Sequence, residues 1–237
     1  MLVQLGSVPT IVISSVEAAE QVMKIHDLDL CNRPLLAGEK RVFYDCRDII
    51  FAPYGEYWRE IQKICVFELF NAKRVQSFKV VREEEIVVLI KSISDSPNTT
   101  TTTTVNVYEM LSSFTHKTIC RVSFGSITDE SNNERLSQII SEFTVVLSSF
   151  FANDFFPKVG WIVDRKSGLH GKTEKCFRDI DRIFQEMINK HVDPERVKTN
   201  HDDIIDVLLK IKNDPVITIL LTHDHIKAVI QVFWGKN

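Results

Sequence analysis

Phe51-Ala-Pro-Tyr-Gly-Glu-Tyr-Trp-Arg-Glu-Ile-Gln-Lys63 joins a turn signal to a dense set of hydrogen-bond donors. Pro53-Tyr54-Gly55 launches a helix predicted over 57–70, with Trp58, Arg59 and Lys63 in its first two turns. An indole N–H and cationic side chains presented together suit a carboxylate or another anion. The same residues also describe a helix start with an aromatic staple and solvated charges. Taken alone, the stretch fits that plainer reading better.

Working outward, residues 2–5 and 10–14 are strand-like and flank Gly6-Ser-Val-Pro9, which predicts a hairpin. A helix is expected over 15–26, because Ser14-Ser-Val-Glu17 has capping-box spacing and Val16, Ala19, Val22 and Met23 recur at helical intervals. Residues 29–54 hold Asn32-Arg-Pro34, Ala37-Gly38 and Ala52-Pro53 without a sustained period, and read as a long irregular connection. A helix follows over 72–92, with Arg82-Glu-Glu-Glu85 as a solvated face. Residues 94–104, with six consecutive threonines, read as a surface loop. Helical patterns resume over 107–124, 132–151, 173–191, 202–212 and 222–233, with breaks at 160–164 and 194–199. The expected fold is one partial domain over 1–237, mainly α with a small N-terminal β element.

Composition narrows the function. A net charge of −3 and a pI near 6.2 lack the concentrated basic surface that nucleic acid requires, so no nucleic-acid partner is expected. Fifteen Phe imply greasy helix packing or an apolar cavity. The five cysteines are widely spaced, odd in number and without a Cys-x-x-Cys pair, which argues against a disulfide framework. No apolar run approaches the roughly 18–20 residues that cross a bilayer, and the first residues lack the pattern of a signal peptide. A soluble or at most peripheral chain is expected.

Generic catalytic patterns are absent: no nucleophile elbow, no phosphate-binding glycine loop, no His-Glu-x-x-His. His223 and His225 stand two apart and face different sides of a helix, so Thr222 as a cap and Asp224 in the first turn are the expected roles there. Asp202, Asp203 and Asp206 are read as first-turn acids behind a cap at Thr199 or Asn200.

Asp48-Ile-Ile-Phe-Ala-Pro-Tyr-Gly-Glu-Tyr-Trp-Arg-Glu-Ile-Gln-Lys-Ile-Cys65 closely resembles the C-helix signature of plant haem-thiolate monooxygenases of the cytochrome P450 superfamily, in the clade of specialised metabolism. Other stretches resemble the family in the same order. Leu5-Gly-Ser-Val-Pro-Thr-Ile-Val-Ile-Ser-Ser-Val-Glu-Ala-Ala19 is similar to its first hairpin and B helix, and Asn32-Arg-Pro34 to the turn after it. Asp154-Phe-Phe-Pro157 with Gly160-Trp161 is similar to the segment between its F and G helices. Leu221-Thr-His-Asp-His-Ile-Lys-Ala228 is similar to the opening of its I helix.

The resemblance implies an incomplete P450 fold, from the first sheet to the start of the I helix, and haem as cofactor. Trp58, Arg59 and Gln62 would lie on the haem-propionate side. Gln62 stands where the family carries Arg or Lys, so the clamp has a donor but lacks a charge there. Residues 35–51 correspond to a substrate-recognition region, and 147–156 with the helix start near 176–184 to the cavity roof. Phe43, Ile49, Phe51, Leu147 and Phe150 are the implied substrate contacts. The implied partners are a small lipophilic substrate and NADPH-cytochrome P450 reductase, at the cytosolic face of the endoplasmic-reticulum membrane. None of the five cysteines sits in a sequence like the family's axial-ligand loop, and the oxygen-activation motif is not present. The expectation is therefore a truncated monooxygenase, inactive alone; the alternative is a non-enzymatic helical binding module.

Overall fold

A computed structural model describes residues 1–94, 106–125, 130–196, 201–215 and 221–234. The chain opens as a hairpin because Gly6, at φ 63°, supplies the left-handed backbone that its tight turn requires. β1 (Leu2–Leu5) pairs antiparallel with β2 (Val8–Ile11), Leu2 opposite Ile11 and Leu5 opposite Val8. The second strand thus starts two residues before the expected Thr10. Pro9 is tolerated inside it because this two-stranded sheet is all edge. Ser7 donates to the Phe155 carbonyl from both its N–H (2.7 Å) and its hydroxyl (2.9 Å), which ties the hairpin tip to a distant turn.

Ser15, not Ser14, caps α1 (Val16–Glu20), accepting from the Ala18 N–H at 3.2 Å. The capping box therefore does not form in the predicted register. The helix expected over 15–26 widens into a π-helical turn (Gln21–Ile25) and is followed by α2 (Asp27–Leu30). The connection over 29–54 is less irregular than predicted, because it contains α3 (Ala37–Val42). Immediately after α3, Tyr44, Asp45 and Cys46 all take left-handed φ values of 53°, 60° and 57°.

α4 (Glu56–Ile64) runs on through a second π-helical turn (Cys65–Leu69). The single helix expected over 72–92 divides at Phe78 into α5 (Ala72–Ser77) and α6 (Lys79–Ser94). The face Arg82–Glu85 is not merely solvated. Glu85 is 8% exposed, and Glu84 and Glu85 together hold Arg121 of α7 (Val107–Phe124) at 2.5 and 2.8 Å. Apart from Ser94, the predicted threonine-rich loop lies outside the described residues.

The remaining helices are α8 (Glu130–Leu147), α9 (Ala152–Phe155), α10 (Gly160–Lys166), α11 (Leu169–Val192), α12 (Ile204–Lys212) and α13 (His223–Trp234). Three expectations shift here. Residues 160–164 are helical, not a break. The helix containing 176–184 begins at Leu169, so those residues lie within it rather than at its start. The cap of α12 is Asp203, which accepts from the Asp206 N–H at 2.9 Å while the Asp206 carboxylate reaches back. Thr199 and Asn200, the predicted caps, lie outside the described residues.

The core forms where apolar residues repeat at helical spacing. On α11, Cys176, Ile180, Ile183, Phe184, Met187 and Ile188 make one buried stripe. It packs with Phe143 of α8, Ile205 and Leu208 of α12, and Ile226 and Ile230 of α13, all nearly or fully buried. α4 joins that core through Ile61 and Ile64, and this contact sets which of its faces remains for chemistry.

Candidate functional site

α4 starts at Glu56 because Pro53 and the extended Gly55 end the preceding turn, and an acid in the first turn suits the helix dipole. Its inward face is Ile61, Ile64 and Cys65. Tyr57, Trp58 and Gln62 are half-buried beside that face, and Arg59 and Lys63 are exposed. Two aromatic side chains of the first turn grip the segment before the helix. The Tyr57 hydroxyl donates to the Arg47 carbonyl at 2.6 Å, and the Trp58 indole N–H donates to the Ile49 carbonyl at 3.0 Å. Asn32, from Asn32-Arg-Pro34, accepts from the Tyr54 N–H at 2.7 Å.

Of the three expected propionate contacts, each is differently placed. Trp58 already uses its single donor on Ile49. Arg59 makes a long bond to the Gly55 carbonyl (3.4 Å) and lies over the Tyr54 ring at 5.7 Å. Gln62 lies one turn beyond Trp58; its carbonyl accepts from the Cys65 N–H, and its side-chain amide makes no hydrogen bond among the described residues. The edge fits a carboxylate through the uncommitted amide of Gln62 and the loosely held guanidinium of Arg59. Trp58 joins them only by exchanging its bond to Ile49.

The substrate contacts implied by resemblance divide in two. Phe43 is 1% exposed and meets Phe51 at 4.9 Å between ring centroids and Phe143 at 5.5 Å. Ile49, Phe51 and Leu147 pack half-buried against the same core. Phe150 stands apart, 64% exposed and stacked on Phe155. Phe143 was not among the expected contacts, although its position one turn before Leu147 on the buried face of α8 marks it.

A polar network pins the left-handed turn. Asp181 of α11 accepts from the Tyr44 hydroxyl at 3.1 Å and from Lys227 Nζ of α13 at 2.6 Å. Burial, with the negative charge of Asp181, pushes the Tyr44 phenol well above its ordinary range. Beside this, a cavity of about 370 Å³ opens between α3, α10 and the start of α11, walled by Ala37, Phe151, Trp161 and the Arg41–Glu174 pair.

His223 and His225 do not converge. The Thr222 N–H donates to His225 Nδ1 at 3.0 Å, and the His225 ring packs on Tyr57. Burial lowers the pKa of both histidines. A different trio, His191, Asp203 and Asp206, lies close enough to share an ion. Arg196 already fills that role, meeting Asp206 at 2.6 Å and Asp203 at 3.0 Å, and His191 Nε2 lies 2.8 Å from Asp203.

The cysteines are not placed as thiolates. Burial pushes the thiol of Cys46 up to about 11, and those of Cys65, Cys120 and Cys176 up to about 12. Cys31 alone is exposed. Iodoacetamide at about pH 8 is accordingly expected to alkylate Cys31 alone in the folded chain, with the other four modified only after denaturation. Intact mass spectrometry reads the count, and rapid native labelling of any buried cysteine contradicts the placement.

This helical fold, with its N-terminal hairpin and its aromatic and basic helix edge, is part of the cytochrome P450 fold: residues 1–235 match the family model described as Cytochrome P450, and the chain belongs to that family. The chain is 40% identical to Cytochrome P450 71B36 of Arabidopsis thaliana, over 98% of its own length and 46% of that protein's. It is also 40% identical to Cytochrome P450 71A9 of Glycine max, over 97% of its length and 46% of that protein's. It thus spans about half the length of the curated relatives it matches. A zebra fish cytochrome P450 solved with progesterone shares the fold at a TM-score of 0.70 and 15% identity, over 99% of this chain and 52% of that one. Family membership implies haem, and the matched residues are the N-terminal half of the P450 domain. No helix among the described residues is long and apolar enough to cross a membrane.

Proposed function

We propose that these residues supply the haem-propionate edge and part of the apolar substrate wall of a plant haem-thiolate monooxygenase. The reaction inserts one O₂-derived oxygen atom into a small lipophilic molecule, with electrons delivered by NADPH-cytochrome P450 reductase at the cytosolic face of the endoplasmic reticulum. Haem, when bound, supplies the oxygen chemistry. Arg59 and Gln62 hold a propionate, and Trp58 stiffens the edge from which they project. Phe43, Phe51 and Leu147 exclude water from one wall of the substrate cavity, since such pockets are mainly apolar with few polar anchors. Phe150, exposed and stacked on Phe155, extends that wall at the surface.

The observation that carries the reading is Gln62: a half-buried residue whose side-chain amide makes no hydrogen bond among the described residues, one turn from Trp58, at the position where the family places a cation. Titrating haemin into the chain with Trp161 and Trp234 replaced by Phe tests it, because Trp58 emission is then quenched by energy transfer. Saturable quenching is expected. Gln62→Arg should tighten binding about fivefold by adding a charge-assisted bond, and Arg59→Ala should weaken it. Quenching that does not saturate, or that ignores both substitutions, contradicts the reading.

A further inference from the structure

Asp48, in the segment between α3 and α4, is 0% exposed. Its Oδ1 accepts from two consecutive backbone donors, the Ile50 N–H at 2.6 Å and the Phe51 N–H at 3.0 Å. Its Oδ2 is buried and has no hydrogen-bond partner. Burial raises the carboxyl above the usual range, and the bonds from Phe51 and Ile50 pull it only part of the way back. A buried carboxyl group with one oxygen unpaired is an unfavourable way to close a turn, where serine or asparagine would make the same side-chain-to-backbone bonds.

The geometry around it shows what this turn holds in place. Ile49 lies between Asp48 and the two N–H groups that Asp48 binds, so closing this turn fixes the direction of the Ile49 carbonyl. That carbonyl is the acceptor of the Trp58 indole N–H at 3.0 Å. The Arg47 carbonyl, on the other side of Asp48, accepts from the Tyr57 hydroxyl at 2.6 Å. Both aromatic grips of α4 on the preceding segment therefore land on carbonyls adjacent to Asp48. We propose that Asp48 is a positioning residue for Trp58, setting the indole of the haem edge by orienting the Ile49 carbonyl. Its relevance to haem rests on the proposed function; the positioning of Trp58 does not.

Hydrogen exchange at the Trp58 indole N–H, followed by ¹⁵N NMR, is the test, with backbone amides of α11 as the internal reference. Asp48→Asn keeps an acceptor oxygen of the right reach and should leave the indole exchange within about twofold of the parent. Asp48→Glu keeps the carboxyl group, but its extra methylene misplaces the acceptor. Glu and Ala at this position should each speed indole exchange at least about tenfold while α11 stays protected. Unchanged indole exchange in folded Asp48→Ala overturns the proposal. So does fast exchange in Asp48→Asn, or full protection in Asp48→Glu. Should Ala or Glu fail to fold, Asn decides: a protected indole supports the proposal and a fast one overturns it. Because this readout contains no haem, failure of the haemin titration with the exchange pattern intact overturns the haem reading alone.

Discussion

Asp181→Ala is expected to destabilise the chain by about 2–4 kcal/mol, whereas Lys227→Met should fall within about 1 kcal/mol of the parent. The asymmetry follows from burial. Lys227 is 4% exposed, with Nζ 2.6 Å from Asp181 and 5.8 Å from the Tyr44 ring centroid. Removing Asp181 strands an ammonium in the core and also takes the acceptor from the Tyr44 hydroxyl. The side chain of Asp181 is 37% exposed, so water relieves part of the penalty and holds it below the fully buried case. Methionine keeps the lysine stem, removes the charge, and leaves Tyr44 bonded to Asp181. Urea unfolding of both variants measures the difference; equal losses would show that the pair is not held as described. Because Tyr44 begins the left-handed turn, Asp181→Ala should also loosen the segment that carries Phe51 and Trp58.

The second large effect is expected at Asp203, where replacement by Ala should cost about 3–5 kcal/mol. One carboxylate oxygen caps α12 through the Asp206 N–H, and the other meets His191 Nε2 and Arg196. The residue is 3% exposed, so its loss uncovers partners that water does not reach. Asp203→Asn keeps the cap and weakens the ionic contacts, and should lose about half as much. Thermal unfolding reads both variants. A loss near that of a simple cap, about 1 kcal/mol, would mean that Arg196 and His191 find other partners.

What was legible in the sequence depended on how each element is stabilised. α7 agrees with its predicted span because both of its ends carry local signals, Asn106 as a cap and Gly125 at φ 70°. α11 is legible because a single face is buried. α6 is not, since Val80, Ile86, Val87, Val88, Ile90 and Ile93 place apolar groups all round it and no period announces its split from α5 at Phe78. The left-handed Tyr44-Asp45-Cys46 turn has no glycine to betray it; Asp181, far along the chain, holds it in place. Asp203-x-x-Asp206 has the spacing of a reciprocal cap, yet a row of acids reads equally well as first-turn residues behind an earlier cap.

The candidate site divides in the same way. Trp58, Arg59 and Lys63 are visible as a donor set because they are close in sequence on one helix, and Gln62 joined them only through the resemblance to the family. That Trp58 already donates to Ile49 depends on how 47–51 folds back across α4, which no spacing records. Phe143 entered the aromatic cluster only when α8 met α3. Family membership was legible because several short matches occur in order, which is more specific than any one of them.

In the function proposed above, residues 1–237 bring a haem edge and a substrate wall, and none of their five cysteines serves as the iron's thiolate. The ferrous–carbon monoxide difference spectrum of the purified chain loaded with haem tests this most directly. With Cys46, Cys65, Cys120 and Cys176 held as buried thiols, and Cys31 exposed at the end of α2 rather than on the α4 edge, the spectrum should lack a thiolate-type Soret band. A thiolate-type band from these residues alone would contradict it.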